Sequence, residues 1–313
     1  MALPPDASRD AVVVDSFAAL AQRVDVVLVR PSQPGNVGAA ARALRVMGLS
    51  RLSIVEPREA GFASAPQALA FASGATDVLA AARVSDDVTQ ALSEATLAIA
   101  VSAAGREFAA PPVTPEAAAR LAFSELRADP AHRVAFLFGN ERTGLSVADA
   151  QRCQVLCSIP ADPQYGSLNL AQAVQVVAYC LRREWLGLLA RGEDASVRPG
   201  DAVDAFDAFD AIAVPDAPSR RGHAAIGQVE SMLGHLERAL VAVDFLDPAS
   251  PKRLMPRLRR LFGRTRLTVE EVDILRGIAG AMLATARPPA RAVAPAADAA
   301  PAAADVPAAR AVP

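Results

Sequence analysis

Short, almost uninterrupted runs of apolar residues alternate with helix-like stretches through the first 190 residues, and this rhythm restricts the fold most strongly. Such runs are typical of strands that are buried on both faces of a parallel sheet. The runs are Val26–Val29, Leu52–Val55, Leu97–Val101, Val134–Phe138 and Val155–Ile159. The helix candidates are Val37–Met47, Ala75–Ala82, Asp87–Ser93, Pro115–Arg127 and Leu170–Ala190. This alternation predicts an α/β domain with a parallel sheet.

The rhythm ends near Gly192, where an acidic stretch with three prolines has the composition of a linker. Apolar residues then recur at helical spacing from Ile226 to Val243, and further helical segments follow around Leu254–Phe262 and Val269–Leu283. The predicted organisation is a flexible leader (1–22), the α/β domain (23–191), a linker (192–222), a small all-α domain (223–286) and a disordered alanine- and proline-rich tail (287–313).

Composition excludes several classes of protein. The formal net charge is −2, so the chain as a whole has no basic excess that would mark a nucleic-acid partner. Three cysteines cannot build a full disulfide framework, and three scattered histidines argue against a zinc site. The acidic, proline-containing start is unlike a signal peptide, and the longest uncharged run, Pro163–Leu181, is too polar for a membrane span. These features predict a soluble, cytoplasmic protein with no metal and no membrane partner.

Three loops that follow predicted strands contain residues able to bind a ligand. In the first, a G-x-x-G turn from Gly35 to Gly38 leads into a helix, whose free N–H groups and dipole can bind an anion. The spacing matches neither a dinucleotide-binding fingerprint nor a P-loop, which argues against the ordinary nucleotide folds. Arg42, further along this helix, either faces solvent or contributes to the anion site.

The second loop, Gly139–Leu145, joins a buried run to a polar turn with adjacent charges at Glu141 and Arg142. Ligands bind at the carboxyl ends of parallel strands, although a plain connection with an exposed ion pair would show the same residues. In the third loop, Ser167 or Asn169 caps the long apolar helix that follows. The same side-chain oxygens can serve either the helix or a ligand.

Together the three loops resemble the SPOUT superfamily of S-adenosylmethionine (SAM)-dependent RNA methyltransferases, in its TrmH-like 2′-O-ribose branch and the TrmJ-type tRNA enzymes within it. The resemblance rests on NVGAAARAL with MGLSRLSIVEP, on FLFGNERTGLS, and on PADPQYGSLNLAQAVQVVAYCLRREW, which keep the family's order. Residues 234–278 are similar to the small helical tail of the bacterial TrmJ type.

The resemblance implies a parallel-sheet domain with a trefoil knot near its end, although knots are rare among proteins. It implies a homodimer with active sites at the subunit interface. It also implies a tRNA substrate, methylated on the 2′-hydroxyl of a cytidine or uridine at conventional position 32 of the anticodon loop. SAM is expected to be held by Val101, Ser102, Ala103, Gly139, Ile159, Ser167, Leu168 and Asn169. An rRNA 2′-O-methyltransferase and a non-catalytic RNA-binding dimer are the alternatives.

The resemblance also assigns roles around the reacting atoms. Arg42 matches an arginine that is held to be essential in the family. Because an arginine stays protonated, we expect it to hold a phosphate and stabilise the developing alkoxide rather than to act as a base. Glu141, Ser167 and Asn169 are the other polar candidates near the transferred methyl group. The expected RNA contacts are Asn36, Arg42 and an acid-free basic run with Lys252, Arg253, Arg257, Arg259, Arg260 and Arg264.

Overall fold

A computed structural model of the protein describes residues 17–59, 61–103, 112–162, 164–191 and 222–286. Its first domain contains six parallel strands in the order β3-β2-β1-β5-β4-β6. The strands are β1 (Val24–Val29), β2 (Leu52–Val55), β3 (Arg83–Ser85), β4 (Leu97–Val101), β5 (Val134–Phe138) and β6 (Val155–Cys157). Strands β1, β4 and β5 are buried along their whole length, which explains their apolar sequences. The predicted α/β class with a parallel sheet is confirmed.

Helices connect the strands. They are α1 (Pro34–Val46), α2 (Pro66–Ala72), α3 (Thr76–Ala80), α4 (Val88–Leu92), α5 (Pro115–Ala128), α6 (Val147–Ala150) and α7 (Leu170–Ala190). Helix α7 has the predicted bounds, whereas α1 begins earlier than predicted, at a proline whose missing N–H costs nothing in the first helical turn. The apolar pattern does not predict α2, α6 or the edge strand β3, all of which are short.

The sheet is covered on both faces, because successive residues of a strand point to opposite sides. On one face, helices α1, α5 and α7 pack over Val26 and Leu28 of β1. On the other face, helix α4 and the side chain of Ile226, from the second domain, pack in one cluster with Val27 and Val29. The two helical layers exclude water from the strands. The loops at the strand ends stay exposed, so they are the part of the domain that can bind a ligand.

The segment before β1 departs from the predicted flexible leader. Residues 17–21 are helical, and the side chains of Phe17 and Leu20 are buried. The Phe17 ring lies 5.7 Å from the ring of Trp185 in α7 and below the guanidinium of Arg182. The prediction of a flexible leader is therefore wrong for residues 17–22, because this segment covers apolar surface of α7. The remainder of the predicted leader, residues 1–16, lies outside the described residues.

The second domain consists of three helices, α8 (Ile226–Ala242), α9 (Leu254–Thr265) and α10 (Val269–Thr285). Helices α8 and α10 pack together around Met232, Leu233 and Val272, so the predicted helical region after the sheet is confirmed. The predicted tail and all of the predicted linker except Gly222 lie outside the described residues. The trefoil knot stays a prediction, with which the strand order is compatible. None of the described helices is both long and apolar enough to cross a membrane.

Candidate active site

A cleft of about 250 Å³ opens at the carboxyl ends of β4 and β5. Seven of the eight residues predicted to hold the cofactor line it: Val101, Ser102, Ala103, Gly139, Ile159, Ser167 and Leu168. Asn169, the eighth, lies beside the cleft, between the lining residues Leu168 and Leu170. The cleft exists because β5, β4 and β6 are neighbours in the sheet, so the loops that follow them converge on one edge.

The turn after β5 has a shape that only glycine allows at its first position. A Cβ atom on Gly139 would lie 2.0 Å from the backbone nitrogen of Leu145, and Gly144 has a φ of +66°. Asn140 closes the turn, because its carbonyl accepts from the Gly144 N–H at 2.8 Å and its Oδ1 accepts from the Arg142 N–H at 2.9 Å. Asn140, which the sequence had given no role, therefore shapes one wall of the cleft.

Glu141 holds the second loop against the first. Its Oε2 accepts hydrogen bonds from the backbone N–H and the hydroxyl of Ser32, both at 2.8 Å, and its Oε1 accepts from Asn36 Nδ2 at 2.7 Å. Burial alone would raise the pKa of Glu141, but the hydrogen bonds from Asn36 and Ser32 outweigh it and lower the pKa below its ordinary value. An ionised carboxylate with both oxygens engaged is suited to holding the loop, which favours this role for Glu141 over positioning of the substrate.

The third loop is tied into the same network. Asn169 caps α7, because its Oδ1 accepts from the Ala171 N–H at 2.9 Å, and its Nδ2 donates to Asn36 Oδ1 at 2.9 Å. A chain of hydrogen bonds thus runs from Glu141 through Asn36 to Asn169 and joins the three loops. Asn36, predicted as an RNA contact, is engaged at both ends of its amide within the protein. The contribution of Ser32 had no signal in the sequence beyond its place between β1 and α1.

The structure does not bring Arg42 into the cleft of its own chain. Its side chain is exposed on α1 and makes no hydrogen bond or ion pair with any residue in the described part of the chain. Ser167 is exposed on the cleft wall, and its hydroxyl likewise has no hydrogen-bond partner among the described residues. Two of the four predicted catalytic side chains, Glu141 and Asn169, therefore organise the loops, and the other two are left available for a ligand.

The basic run forms helix α9 and its flanks. Five of its predicted RNA contacts are exposed: Lys252, Arg253, Arg257, Arg260 and Arg264. Arg259 differs, because its guanidinium forms a two-point ion pair with Glu230 of α8, at 2.8 and 2.9 Å. This pair fastens α9 to α8, so we remove Arg259 from the candidate phosphate contacts. Arg266, which closes the run, pairs with Glu125 of the first domain.

The described residues provide neither a metal site nor a cysteine suited to act as a nucleophile. No group of three or more His, Cys, Asp or Glu side chains in that part of the chain is placed to hold a metal ion. Cys157 and Cys180 are buried, and burial raises the pKa of the Cys157 thiol to about 12. A thiol with this pKa stays protonated near neutral pH and is not a nucleophile.

Each of the two domains matches a known protein family. The model of the SpoU rRNA methylase family matches residues 23–179, and the model of the tRNA methyltransferase TrmJ C-terminal domain matches residues 227–291. A tRNA (cytidine/uridine/adenosine-2′-O-)-methyltransferase TrmJ from Pseudomonas aeruginosa is 40% identical, covering 85% of this chain and 95% of the relative. The tRNA (cytidine/uridine-2′-O-)-methyltransferase TrmJ of Salmonella typhimurium is 36% identical, covering 83% and 96%.

Solved structures give the same result. TrmJ from Z. mobilis ZM4 is 29% identical with a TM-score of 0.65, over 82% of this chain and 98% of that one. A probable methyltransferase from Bordetella pertussis is 43% identical with a TM-score of 0.52, over 54% and 99%. The resemblance predicted from the three loops is confirmed. The chain is an enzyme that belongs to the SpoU methylase family and, through its C-terminal helices, to the TrmJ branch of that family.

Proposed function

We propose that the protein is a cytoplasmic SAM-dependent methyltransferase that modifies the 2′-hydroxyl of cytidine or uridine at position 32 of the tRNA anticodon loop. The observation that carries this proposal is the cleft formed by the loops after β4, β5 and β6, whose walls include seven of the predicted cofactor residues. The names of the TrmJ relatives support tRNA as the substrate and the ribose oxygen as the acceptor.

The residues of the cleft fit SAM. Apolar side chains, among them Phe138, Ile159, Leu168 and Leu170, offer surfaces against which an adenine ring can pack. Gly139 allows the tight turn that places the Gly139–Leu145 loop along the wall of the cleft. When bound, SAM supplies a methyl group on a sulfonium, which an aligned oxygen can attack directly.

The chain must position a ribose hydroxyl and compensate the charge that forms on its oxygen. Glu141 is a poor candidate for the base, because both of its oxygens already accept hydrogen bonds. Arg42 can donate charge-assisted hydrogen bonds to a phosphate and to the developing alkoxide, and the proton then passes to a phosphate oxygen or water. The Ser167 hydroxyl is exposed on the cleft wall, and we propose that it binds the ribose.

Arg42 can serve such a site across a subunit interface. It lies on α1, which packs against α7, and both helices expose apolar side chains: Val46 is 67% exposed, Tyr179 is 49% and Leu186 is 48%. Burial of such side chains favours association. We propose a homodimer formed through α1 and α7, in which Arg42 of one protomer completes the cleft of its partner.

The exposed basic face of α9 supplies the contacts to the tRNA backbone. Each phosphate that it neutralises releases counterions, so binding weakens steeply as salt rises. The acid-free run explains how a chain of net charge −2 can bind RNA, since the average charge hides a local basic surface.

The test is the transfer of labelled methyl groups from SAM to tRNA and rRNA that lack the modification, followed by nucleoside analysis and by nuclease mapping of the labelled position. Label in 2′-O-methylcytidine or 2′-O-methyluridine at position 32 is the expected result. Label in rRNA instead would favour the rRNA alternative, which the family name suggests, and no transfer to any RNA would favour the non-catalytic dimer. Label in 2′-O-methyladenosine would extend the specificity, as the name of the Pseudomonas relative suggests.

A further inference from the structure

Buried charged side chains join the helical domain to the parallel-sheet domain. We propose that Arg266, Glu125 and His132 form a joint that holds the helical domain at a fixed orientation, and so positions tRNA relative to the catalytic cleft. These are positioning residues, since none of them lines the cleft. The inference rests on the proposed function and adds to it a determinant of substrate placement.

Glu125 is the centre of the joint. It lies on α5 and is only 3% exposed, yet it accepts a hydrogen bond from the Thr96 hydroxyl and pairs with the guanidinium of Arg266. His132 Nδ1 lies 3.2 Å from Glu125 Oε1. Burial alone would raise the pKa of Glu125, but Arg266 and His132 outweigh it and keep the carboxylate ionised. A buried charge of this kind is strongly destabilising when its partner is removed.

Two histidines extend the joint across the domain boundary. The ring of His132, in the loop before β5, stacks at 5.6 Å on the ring of His223, which belongs to the helical domain. His223 Nδ1 donates to the carbonyl of Arg266 at 2.9 Å. The preceding residue, Gly222, packs so closely that a Cβ atom would lie 2.5 Å from His132 Nε2. A side chain at position 222 would therefore displace the ring of His132 from its place in the joint.

Ile226, the first residue of α8, adds an apolar contact. Its side chain is buried in the core of the first domain with Leu92 and Ala95, and its N–H donates to the Ala95 carbonyl at 2.8 Å. The next N–H, of Gly227, donates to the Ser93 carbonyl at 3.2 Å. These directional contacts fix both the place and the direction of α8.

The position of the joint explains why orientation matters. The joint lies at the amino ends of β4 and β5, whereas the cleft lies at their carboxyl ends, about 16 Å away along the five residues of β4. Helix α9 ends at Thr265, directly before Arg266. A rotation at Arg266 therefore swings the basic face of α9, and RNA bound to it would move relative to the distant cleft.

The test uses the full-length protein with Glu125→Gln and Arg266→Met, each of which removes one charge of the pair. Arg276→Met is the matched control, because Arg276 is an arginine of the same domain whose hydrogen bond is to the uncharged Ser231 hydroxyl. The measurements are the tRNA dissociation constant, kcat for methyl transfer at saturating tRNA, the SAM dissociation constant, and the maximum dimension by small-angle X-ray scattering.

For both joint variants we expect kcat to fall at least tenfold and the maximum dimension to increase, while the dissociation constants for tRNA and SAM stay within about threefold. Arg276→Met should behave like the wild type, and Arg266→Lys, which keeps the charge, should recover part of kcat. In contrast, Arg260→Met on the exposed face of α9 should weaken tRNA binding and leave the maximum dimension unchanged.

Two outcomes would overturn the proposal. One is unchanged kcat and unchanged scattering in both joint variants; the other is a parallel loss of SAM binding, which would show general unfolding. If the wild-type protein methylates no tRNA, the proposed function fails by itself. In that case the scattering data alone test the joint. The proposal would be refuted if both joint variants had the same maximum dimension as the wild type.

Discussion

Replacing Glu141 with glutamine tests whether this side chain holds the first two loops together. The carboxylate accepts three hydrogen bonds, two from Ser32 and one from Asn36. Glutamine keeps one oxygen but places an NH₂ group at the other position, where it faces a donor. The Ser32 hydroxyl can rotate to a new partner, whereas its backbone N–H cannot.

The expected cost follows from the donor that the new NH₂ group faces, which is the Ser32 N–H or Asn36 Nδ2 depending on how the amide turns. Loss of a hydrogen bond to a charged acceptor, with its donor left unpaired, costs about 1.5–3 kcal/mol. For a domain of this size, about 2 kcal/mol corresponds to a fall of roughly 4–8 °C in Tm. Because the pKa of Glu141 is lowered in the folded state, its stabilising contribution is present above the unfolded pKa and is lost as the pH falls through the folded value. The Gln variant should lack that part of the acid dependence.

The assay is denaturant unfolding of the full chain, followed by circular dichroism. Glu94→Gln is the matched control: its carboxylate is 63% exposed and lies 3.7 and 3.9 Å from its arginine partners, so its loss should cost no more than about 1 kcal/mol. A double-mutant cycle with Asn36→Ala isolates the shared bond. A Glu141→Gln protein whose free energy of unfolding lies within about 0.5 kcal/mol of the wild-type value, the range of surface substitutions, would refute the reasoning.

Three further predictions concern single side chains. Arg42→Lys should lower kcat for tRNA methylation by about 100-fold because the two-point guanidinium contact is lost, with Tm unchanged; near-normal turnover would contradict this role. Gly139→Ala should weaken SAM binding at least tenfold by calorimetry, because the new Cβ would lie 2.0 Å from a backbone nitrogen of its own turn; unaltered affinity would contradict the turn geometry. Burial and the nearby charge of Arg266 lower the pKa of His223 below 6.5, so the free energy of unfolding should decline as the pH falls below about 6.5. The His223→Gln protein should lack this decline. A pH profile identical to that of the wild type would contradict the prediction.

The strands were predictable because each buried strand reads as a continuous apolar run. Strand β3 was not, because it lies at the edge of the sheet, has only three residues and exposes Val84. The burial of Phe17 could not be foreseen either. It depends on Trp185, which is distant in the sequence and meets Phe17 only after the sheet has formed.

The residues of the cleft were largely predictable through the resemblance to the SPOUT family, and the order of the parallel strands explains why their loops converge. The hydrogen-bond partners of the polar side chains at the cleft could not be predicted, because these partners depend on which strands are adjacent. Glu141 meets Ser32 because β5 pairs directly with β1, a detail of strand order that no local pattern contains. Arg259 shows the same limit: its sequence neighbours suggest a phosphate contact, but its fold neighbour is Glu230.

The chain contains one tryptophan, Trp185, which is 1% exposed and packed between Phe17 and Phe123. Its only tyrosines, Tyr165 and Tyr179, also belong to the first domain. Intrinsic tryptophan fluorescence therefore reports on the parallel-sheet domain alone, while far-ultraviolet circular dichroism reports on both domains. If the two signals follow different unfolding curves, the domains unfold separately, and the spacing between the midpoints measures their coupling without any added label.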